Sequence, residues 1–455
     1  MGSVSDKTFD YGVLGASQQG GYQVIPDDGV ISSITINSAS SGSASDFENA
    51  DSDLIQRAAG DTFSTQTVLN CTANFADLST DTFVATINPI ALGKSARTWD
   101  EMRGYPNSDP DRAYGQVVYL RPGVYNDQEL TSGIGPSTPI PGMPEIYMTF
   151  QPHEAGTVTV RRMTMVNNDS NCNGFYFRDI IFESNLTTGD PEIIRGQFGG
   201  EYWKFTDNTF RVEGAIASSG KLAFRAASNG RTTMGNFDFQ RNVFENLGDG
   251  INTEGSDLRI QNNNFNNIFN DCVHVTTQGN IDPNNCNITA NVHWNKKYAG
   301  SGAHGDFNQI NITLAANDIT GFVYENNVTI RGEGTTGEAD GQPLFINGIA
   351  AGHKLVSPRI VNNFALSRFG RGFNIPNCQG GEVVGNSVML DLDPTAGGSS
   401  IVSGIYIENG TDVLVSDNIS NLYDFTGSTG FTEINNQTTA ANDTAYSTVF
   451  SNPLY

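Results

Sequence analysis

Charge is scarce in this chain, and positive charge is scarcer still. Only 16% of its 455 residues are charged, with 25 Lys and Arg set against 49 Asp and Glu. A net charge of −24 without any basic stripe excludes a nucleic-acid partner, which needs cations to meet phosphates. The same acidity repels an acidic polysaccharide unless a cation or a local Lys/Arg cluster intervenes. Cysteine is sparse too: Cys71, Cys172, Cys272, Cys286 and Cys378 are odd in number, far apart and without C-x-x-C spacing. That pattern excludes a disulfide framework and a zinc site, and predicts small buried core residues instead. No apolar run is long enough to cross a bilayer, so membrane insertion is not expected. The opening MGSVSDKTFDYG has neither a basic nor an apolar leader region, so Sec-type secretion is not expected from it. What is abundant is Gly, at 50 residues, with Asn, Thr and Ser between apolar residues that still make up 37%. This is a turn-rich, ordered, all-β composition.

One phrase recurs: apolar, x, apolar, x, x, Asn. It stands at WKFTDNTF (203–210), FDFQRNVF (237–244), LRIQNNNF (258–265), CNITANVH (286–293), FVYENNVT (322–329), PRIVNNFA (358–365), GEVVGNSV (381–388) and VLVSDNIS (413–420). A diverged relative, FYFRDIIF (175–182), precedes them. The phased residues Asn208, Asn242, Asn263, Asn291, Asn327, Asn363, Asn386 and Asn418 are separated by 34, 21, 28, 36, 36, 23 and 32 residues. Alternation predicts strands, and the Asn after each strand predicts a tight or left-handed corner. A minimal period of about twenty residues, lengthened by inserts, predicts repeats that stack because none buries its apolar face alone.

The phrase resembles the right-handed parallel β-helix of the pectate-lyase-like superfamily, and the resemblance covers residues 115–425. GQVVYLRPGVYND (115–127) looks like the strand-and-turn that opens such helices. The resemblance implies a ladder of stacked Asn amides, which is structural and carries no chemistry. The expected organisation is an N-terminal β-rich attachment or capping module over 1–110, a solenoid over 111–430, and a C-terminal cap or oligomer contact over 431–455. Within the first module, 30–40, 62–76 and 82–92 read as strands, and DFENADSDLIQRA (46–58) as a short helix. Inserts at 131–145, 214–232, 295–305 and 331–341 are expected to wall a groove.

A second phrase carries the candidate chemistry: GDGINT (248–253), NDCVHV (270–275), GDFNQI (305–310), GRGFNI (370–375) and SGIYIE (403–408). Aligned, it sets Asp249, Asp271, Asp306, Arg371 and Ser403 in one column. Three positions later come Asn252, His274, Gln309, Asn374 and Tyr406. Strands in adjacent repeats lie about 4.8 Å apart, so the three carboxyls would form an acidic stack beside His274 and His304. Carboxyls one repeat apart stand near a retaining glycosidase's separation, and those two repeats apart, Asp249 and Asp306, near an inverting pair's. The other reading is that each Asp caps backbone N–H groups at a strand corner.

The stretch NDCVHV…GAHGDFNQ resembles the polygalacturonase-type hydrolases, which carry Asp-Asp-Cys followed by Gly-His-Gly. Here Asn270-Asp271-Cys272 and Ala303-His304-Gly305 stand in those places, and no Arg-x-Lys follows. The resemblance carries over only Asp271 and His304. A lyase would instead need a base and a uronate-neutralising group, with Lys296, Lys297, His353, Lys354, Arg368 and Arg371 as candidates. No cofactor is expected, calcium being the one cation an acidic column would hold. Of the aromatics Tyr202, Trp203, Trp294, Tyr298, Phe307, Phe373 and Tyr406, most alternate as core residues, and the rest are placed to stack on sugars.

These readings converge on a phage tailspike-like, homotrimeric protein of the virion surface or the extracellular space. It would bind a bacterial surface polysaccharide through Asn252, Gln309, Arg371 and Tyr406, and hydrolyse it through Asp249, Asp271, Asp306, His274 and His304. Other virion proteins would dock on the N-terminal module. The alternatives are a free polysaccharide lyase or hydrolase, and a non-catalytic structural or adhesion solenoid.

Overall fold

The structure is a computed structural model that describes residues 2–13, 21–40, 44–57, 66–90, 117–131, 148–152, 156–166, 174–184, 192–197, 200–212, 221–227, 234–277, 281–296, 306–312, 317–331, 341–348, 352–367, 371–390 and 403–439. Among these residues the chain is all-β: no α-helix occurs, and one short 3-10 turn (Ala44–Asp46) is the only helical element. Among the described residues no helix is long and apolar enough to cross a membrane. The chain divides into two compact units, residues 1–161 with 174–181, and residues 162–173 with 182–455. The inserts at 214–232, 295–305 and 331–341 lie mostly, and the one at 131–145 almost wholly, outside the described residues, as do Cys172, His304, Lys297, Tyr298 and Arg368.

The first unit opens on antiparallel sheets. Strands Ile31–Ala39, Thr67–Phe75 and Thr80–Ile90 form where alternation predicted them, and Lys7–Val13 joins the last of them in parallel. The helix read into 46–58 is instead a hairpin of Phe47–Asp51 and Leu54–Arg57. Asn49 explains the difference. Its side chain accepts from the Ile34 amide at 3.1 Å and donates to the Leu54 carbonyl at 3.1 Å, holding the segment extended. Phe47, Leu54 and Ile55 are buried, and Phe47 and Ile55 join the core of the antiparallel module. The wholly buried Arg121 donates to the Tyr22 hydroxyl at 2.7 Å and lies over that ring. Parallel strands follow at Val117–Leu120, Met148–Pro152 and Phe175–Arg178.

In the second unit each repeat contributes a strand to each of three parallel ladders. The first ladder holds the strands before the phased Asn, from Glu201–Thr206 through Gly235–Gln240 and Arg259–Gln261 to Thr432–Ile434. The second holds those after it, from Thr209–Val212 and Val243–Leu247 to Gln437–Thr438. The third runs from Glu192–Gln197 and Leu222–Ala227 through Asp249–Thr253, Val273–Thr276, Asn308–Asn311, Leu344–Asn347, Phe373–Pro376 and Ile405–Glu408 to Tyr423–Asp424. The second and third ladders join into one sheet that nearly closes on itself.

The Asn ladder is present and longer than the sequence suggests. Each amide donates to the next repeat's amide oxygen, from Asn208 to Asn242 at 3.1 Å through Asn263, Asn291, Asn327, Asn363, Asn386 and Asn418. A ninth rung, Asn436, accepts from Asn418 at 3.0 Å. The repeat therefore runs past residue 430, where the C-terminal cap was expected to begin. The left-handed residue is the one before each ladder Asn, for example Asp207 (φ 60°), Arg241 (φ 54°), Ala290 (φ 54°) and Asn326 (φ 57°). That bend turns each ladder Asn inward, where all eight of the phased residues are buried. Beside the ladder, Phe182, Phe210, Phe244 and Phe265 stack with centroids 5.1, 4.7 and 4.6 Å apart, and His293 continues the column at 5.0 Å.

Candidate functional site

The register of the third ladder brings the predicted column together. Asn252 pairs with His274, His274 with Gln309, Gln309 with Phe345, Phe345 with Asn374, and Asn374 with Tyr406. Asp249, Asp271 and Asp306 stand three residues upstream in the same register. Gln342 also belongs to this column, between Asp306 and Arg371, and the sequence alignment passed over it because no acid or familiar phrase marks it.

The carboxylates serve the backbone. Asp249 Oδ1 accepts the Asp271 amide at 2.9 Å, Asp271 Oδ1 accepts the Asp306 amide at 2.7 Å, and Asp306 Oδ1 accepts the Gln342 amide at 2.8 Å. Each Asp thus caps the strand start one repeat on, the structural reading of the column. Exposure falls along it, from 9% at Asp249 to 3% at Asp271 and 0% at Asp306. A general acid has to reach the glycosidic oxygen. In this conformation Asp306 reaches no solvent and Asp249 is itself buried, so the Asp249–Asp306 inverting pair has no exposed member.

His274 sits 3.5 Å from Asp271 Oδ2, and its Nδ1 lies 3.3 Å from the Asn252 amide nitrogen. Burial pushes its pKa below the usual imidazole value, partly offset by the charges of Asp249 and Asp306. A neutral ring then accepts at Nδ1 from Asn252, whose amide can only donate there. Among the described residues nothing gathers into a metal-binding group, and one oxygen of each acid in the column faces a backbone amide.

The C-terminal end of the column holds a second cluster. Arg371 Nη1 donates to Asn374 Oδ1 at 3.0 Å and pairs ionically with Glu408 Oε1 at 2.9 Å. Its guanidinium carbon lies 5.3 Å from the centre of the Tyr406 ring, within cation–π range. Burial raises the Tyr406 pKa, which keeps the phenol a neutral O–H donor. The Tyr406 ring rests against Gly404, where an added Cβ would come within 3.1 Å of it. Arg371 and Tyr406 are thus brought together, Asn252 joins His274, and Gln309 links the two groups through Phe345. Glu408 and Phe345 were missed by the sequence reading. Two-residue alternation outward from Tyr406 was the signal available for Glu408.

The remaining candidates divide by burial. Trp203, Phe307 and Phe373 are core residues, whereas Trp294 is 37% exposed on the second ladder. His353 lies 3.8 Å from Asp318, and Lys354 donates to Gln379, both at the surface and away from the third-ladder column. Cys71, Cys272, Cys286 and Cys378 are buried, and burial pushes the thiols of Cys71, Cys286 and Cys378 up to about 12. Comparison of the chain with protein families, curated proteins and solved structures finds no match.

Proposed function

We propose that the second unit is a right-handed parallel β-helix whose third-ladder face binds a surface polysaccharide, the chain acting as a spike or adhesin of a virus particle or of the extracellular space. The observation that carries this reading is the outward column of that ladder. It lines up Asn252, His274, Gln309, Phe345 and Tyr406 with Arg371 alongside, while Asn374, in the same register, is buried and gives its amide to Arg371 and the Ile346 carbonyl. Amides offer donors and acceptors to hydroxyl groups, and aromatic rings offer flat apolar faces to sugar rings. Phe345 and Tyr406 stand two repeats apart, about 9.6 Å at the strand spacing of parallel sheets. The whole column from Asn252 to Tyr406 covers five intervals, about 24 Å by the same spacing, enough for several sugar units.

Binding without cleavage is the form this reading takes. Each acid of the column gives its Oδ1 to a backbone amide, and the column loses exposure repeat by repeat. Association into a homotrimer draws support from the second ladder, whose outward positions Val292, Trp294, Val328, Ile330, Phe364 and Leu366 are apolar over three successive repeats.

The test is to incubate the purified chain with bacterial capsular, lipopolysaccharide and algal glycans. Retention, new reducing ends and unsaturated-uronate absorbance are followed together. Retention without either product is the expected result. New reducing ends lost in Asp249→Asn would replace binding by hydrolysis. An unsaturated product would move the chemistry to a lyase. Absence of retention on every glycan would remove the reading.

A further inference from the structure

The Arg371 cluster carries an inference about which glycan the column takes, and it rests on the polysaccharide reading above. Arg371 is held from three sides: by Asn374 at 3.0 Å, by Glu408 at 2.9 Å, and by the face of Tyr406. Both polar contacts fall on one nitrogen, Nη1. Among the described residues nothing engages the guanidinium's Nε–H and Nη2–H groups or the second carboxylate oxygen of Glu408. The two side chains remain 46% and 33% exposed. The cluster therefore presents fixed donors, a fixed acceptor and a flat aromatic ring to one small volume of solvent.

A guanidinium edge of this kind fits a carboxylate, but only when its charge is unspent. Here Glu408 already neutralises it, and Asp424 follows Tyr406 in the next repeat of the column. From Asn252 to Tyr406 the outward column holds no other fixed cation, since His274 is pushed toward its neutral form and the others are Asn, Gln, Phe and Tyr. The next cations in this column, Arg225 (paired with Glu192 at 3.2 Å) and Arg195, stand before Asn252, at the far end from Tyr406, so an acidic sugar at the Arg371 end meets Glu408 and Asp424 without a free cation beside them. A sugar with vicinal hydroxyls meets the opposite. One hydroxyl accepts from Nε–H or Nη2–H, its neighbour donates to Glu408, and the ring packs on Tyr406.

We infer that Arg371, Glu408 and Tyr406 form a subsite for a neutral hexose, so that the glycan bound along the third ladder is uncharged at this position. Glu408 is a specificity residue in this account: it cancels the cation that would otherwise select uronates.

The experiment measures affinity for neutral glucan and galactomannan oligosaccharides and for oligogalacturonates and alginate fragments, at low and high salt. The intact chain is compared with Glu408→Gln, which keeps the side chain's length and an oxygen and removes the charge. The expected result is neutral-sugar binding that changes less than about twofold with salt, as uncharged recognition requires. Glu408→Gln should weaken neutral binding by roughly tenfold, the loss of one charge-assisted hydrogen bond, and strengthen uronate binding. Gln309→Ala locates the binding on the third ladder, and an unchanged thermal midpoint shows that both variants fold. Uronates bound more tightly than neutral sugars, with Gln309→Ala still weakening them, would overturn the inference and leave the polysaccharide reading standing. Identical affinities in the intact chain and Glu408→Gln would also overturn it. No binding of either class, or binding that Gln309→Ala and Tyr406→Ala both leave untouched, would overturn the polysaccharide reading and the inference together.

Discussion

A single side chain in this protein does several jobs, and Asn291 shows how many. Its oxygen accepts from both the amide and the side chain of Asn263, at 2.9 and 3.0 Å. Its nitrogen donates to the Ile260 carbonyl at 2.8 Å and to Asn327 at 3.1 Å. Asn291→Ala strands those groups in a site without solvent, where each unpaired polar atom costs about 1–3 kcal/mol. A net loss of about 3 kcal/mol is expected, read as a lower urea midpoint with little change in slope. The neighbouring residue gives the opposite sign. Ala290 holds φ 54°, a conformation that costs an L-residue about 1 kcal/mol, so Ala290→Gly should stabilise by up to about that amount. His274 supplies the pH dependence. Its folded pKa lies below the usual value, so the unfolded chain takes up the proton first. Its contribution is therefore intact above about pH 6.5 and is lost as pH falls through the folded value. His274→Gln, which copies Gln309 one repeat on, should flatten this acid limb in denaturation curves recorded from pH 7 to 5. An unaltered limb would place the titration elsewhere.

At the scale of the element, what was legible in the sequence is what repeats in kind. The Asn phase could be read because each rung bonds to another copy of itself, so chemistry and period coincide. The acid column could be aligned for the same reason. Its purpose could not, because a carboxylate that caps a backbone amide and one that protonates a glycan look identical as letters. Gln342 and Asn436 escaped because each breaks a local pattern: Gln342 replaces an acid, and Glu433 stands before Asn436 where the phrase has an apolar residue. The hairpin at Phe47–Arg57 escaped because Asn49 acts through strands distant in sequence. Once the column is seen as a capping device, its substitutions can be ordered. Asp271→Asn keeps an oxygen for the Asp306 amide and should leave stability within about 1 kcal/mol, whereas Asp271→Ala should cost about 2 kcal/mol. Equal losses in the two variants, measured by urea unfolding, would mean that the charge rather than the acceptor matters. The aromatic column makes the larger demand. Phe244 lies between Phe210 and Phe265, and Phe244→Ala should cost about 3–5 kcal/mol through lost burial and the cavity left behind.

At the scale of the molecule, the three ladders of the second unit present three outward chemistries, and this division is the basis for assigning them different partners. The first ladder carries an ionic row in which Arg359 bonds Glu325 and Glu382, and Lys204 faces Asp238. The pairs of Arg359 are solvated and contribute little. The third carries the amide and aromatic column proposed to meet a glycan. The second turns Val292, Trp294, Val328, Ile330, Phe364 and Leu366 outward, in register over three repeats. Apolar surface of this continuity is costly to leave in water, and copies of one chain supply a matching surface at no loss of symmetry. If copies associate there, a charge placed at the exposed Trp294, or on Leu366 two repeats on, must enter an apolar interface. Trp294→Glu with Leu366→Lys should then convert a sedimenting oligomer to monomer without altering the Asn ladder or the glycan affinity of a single third-ladder face. Loss of avidity for a multivalent glycan surface would accompany it, since linked sites gain through effective concentration. A wild-type chain that sediments as a monomer at micromolar concentration would remove the homotrimer and leave the binding column unaffected, because the two proposals rest on different faces.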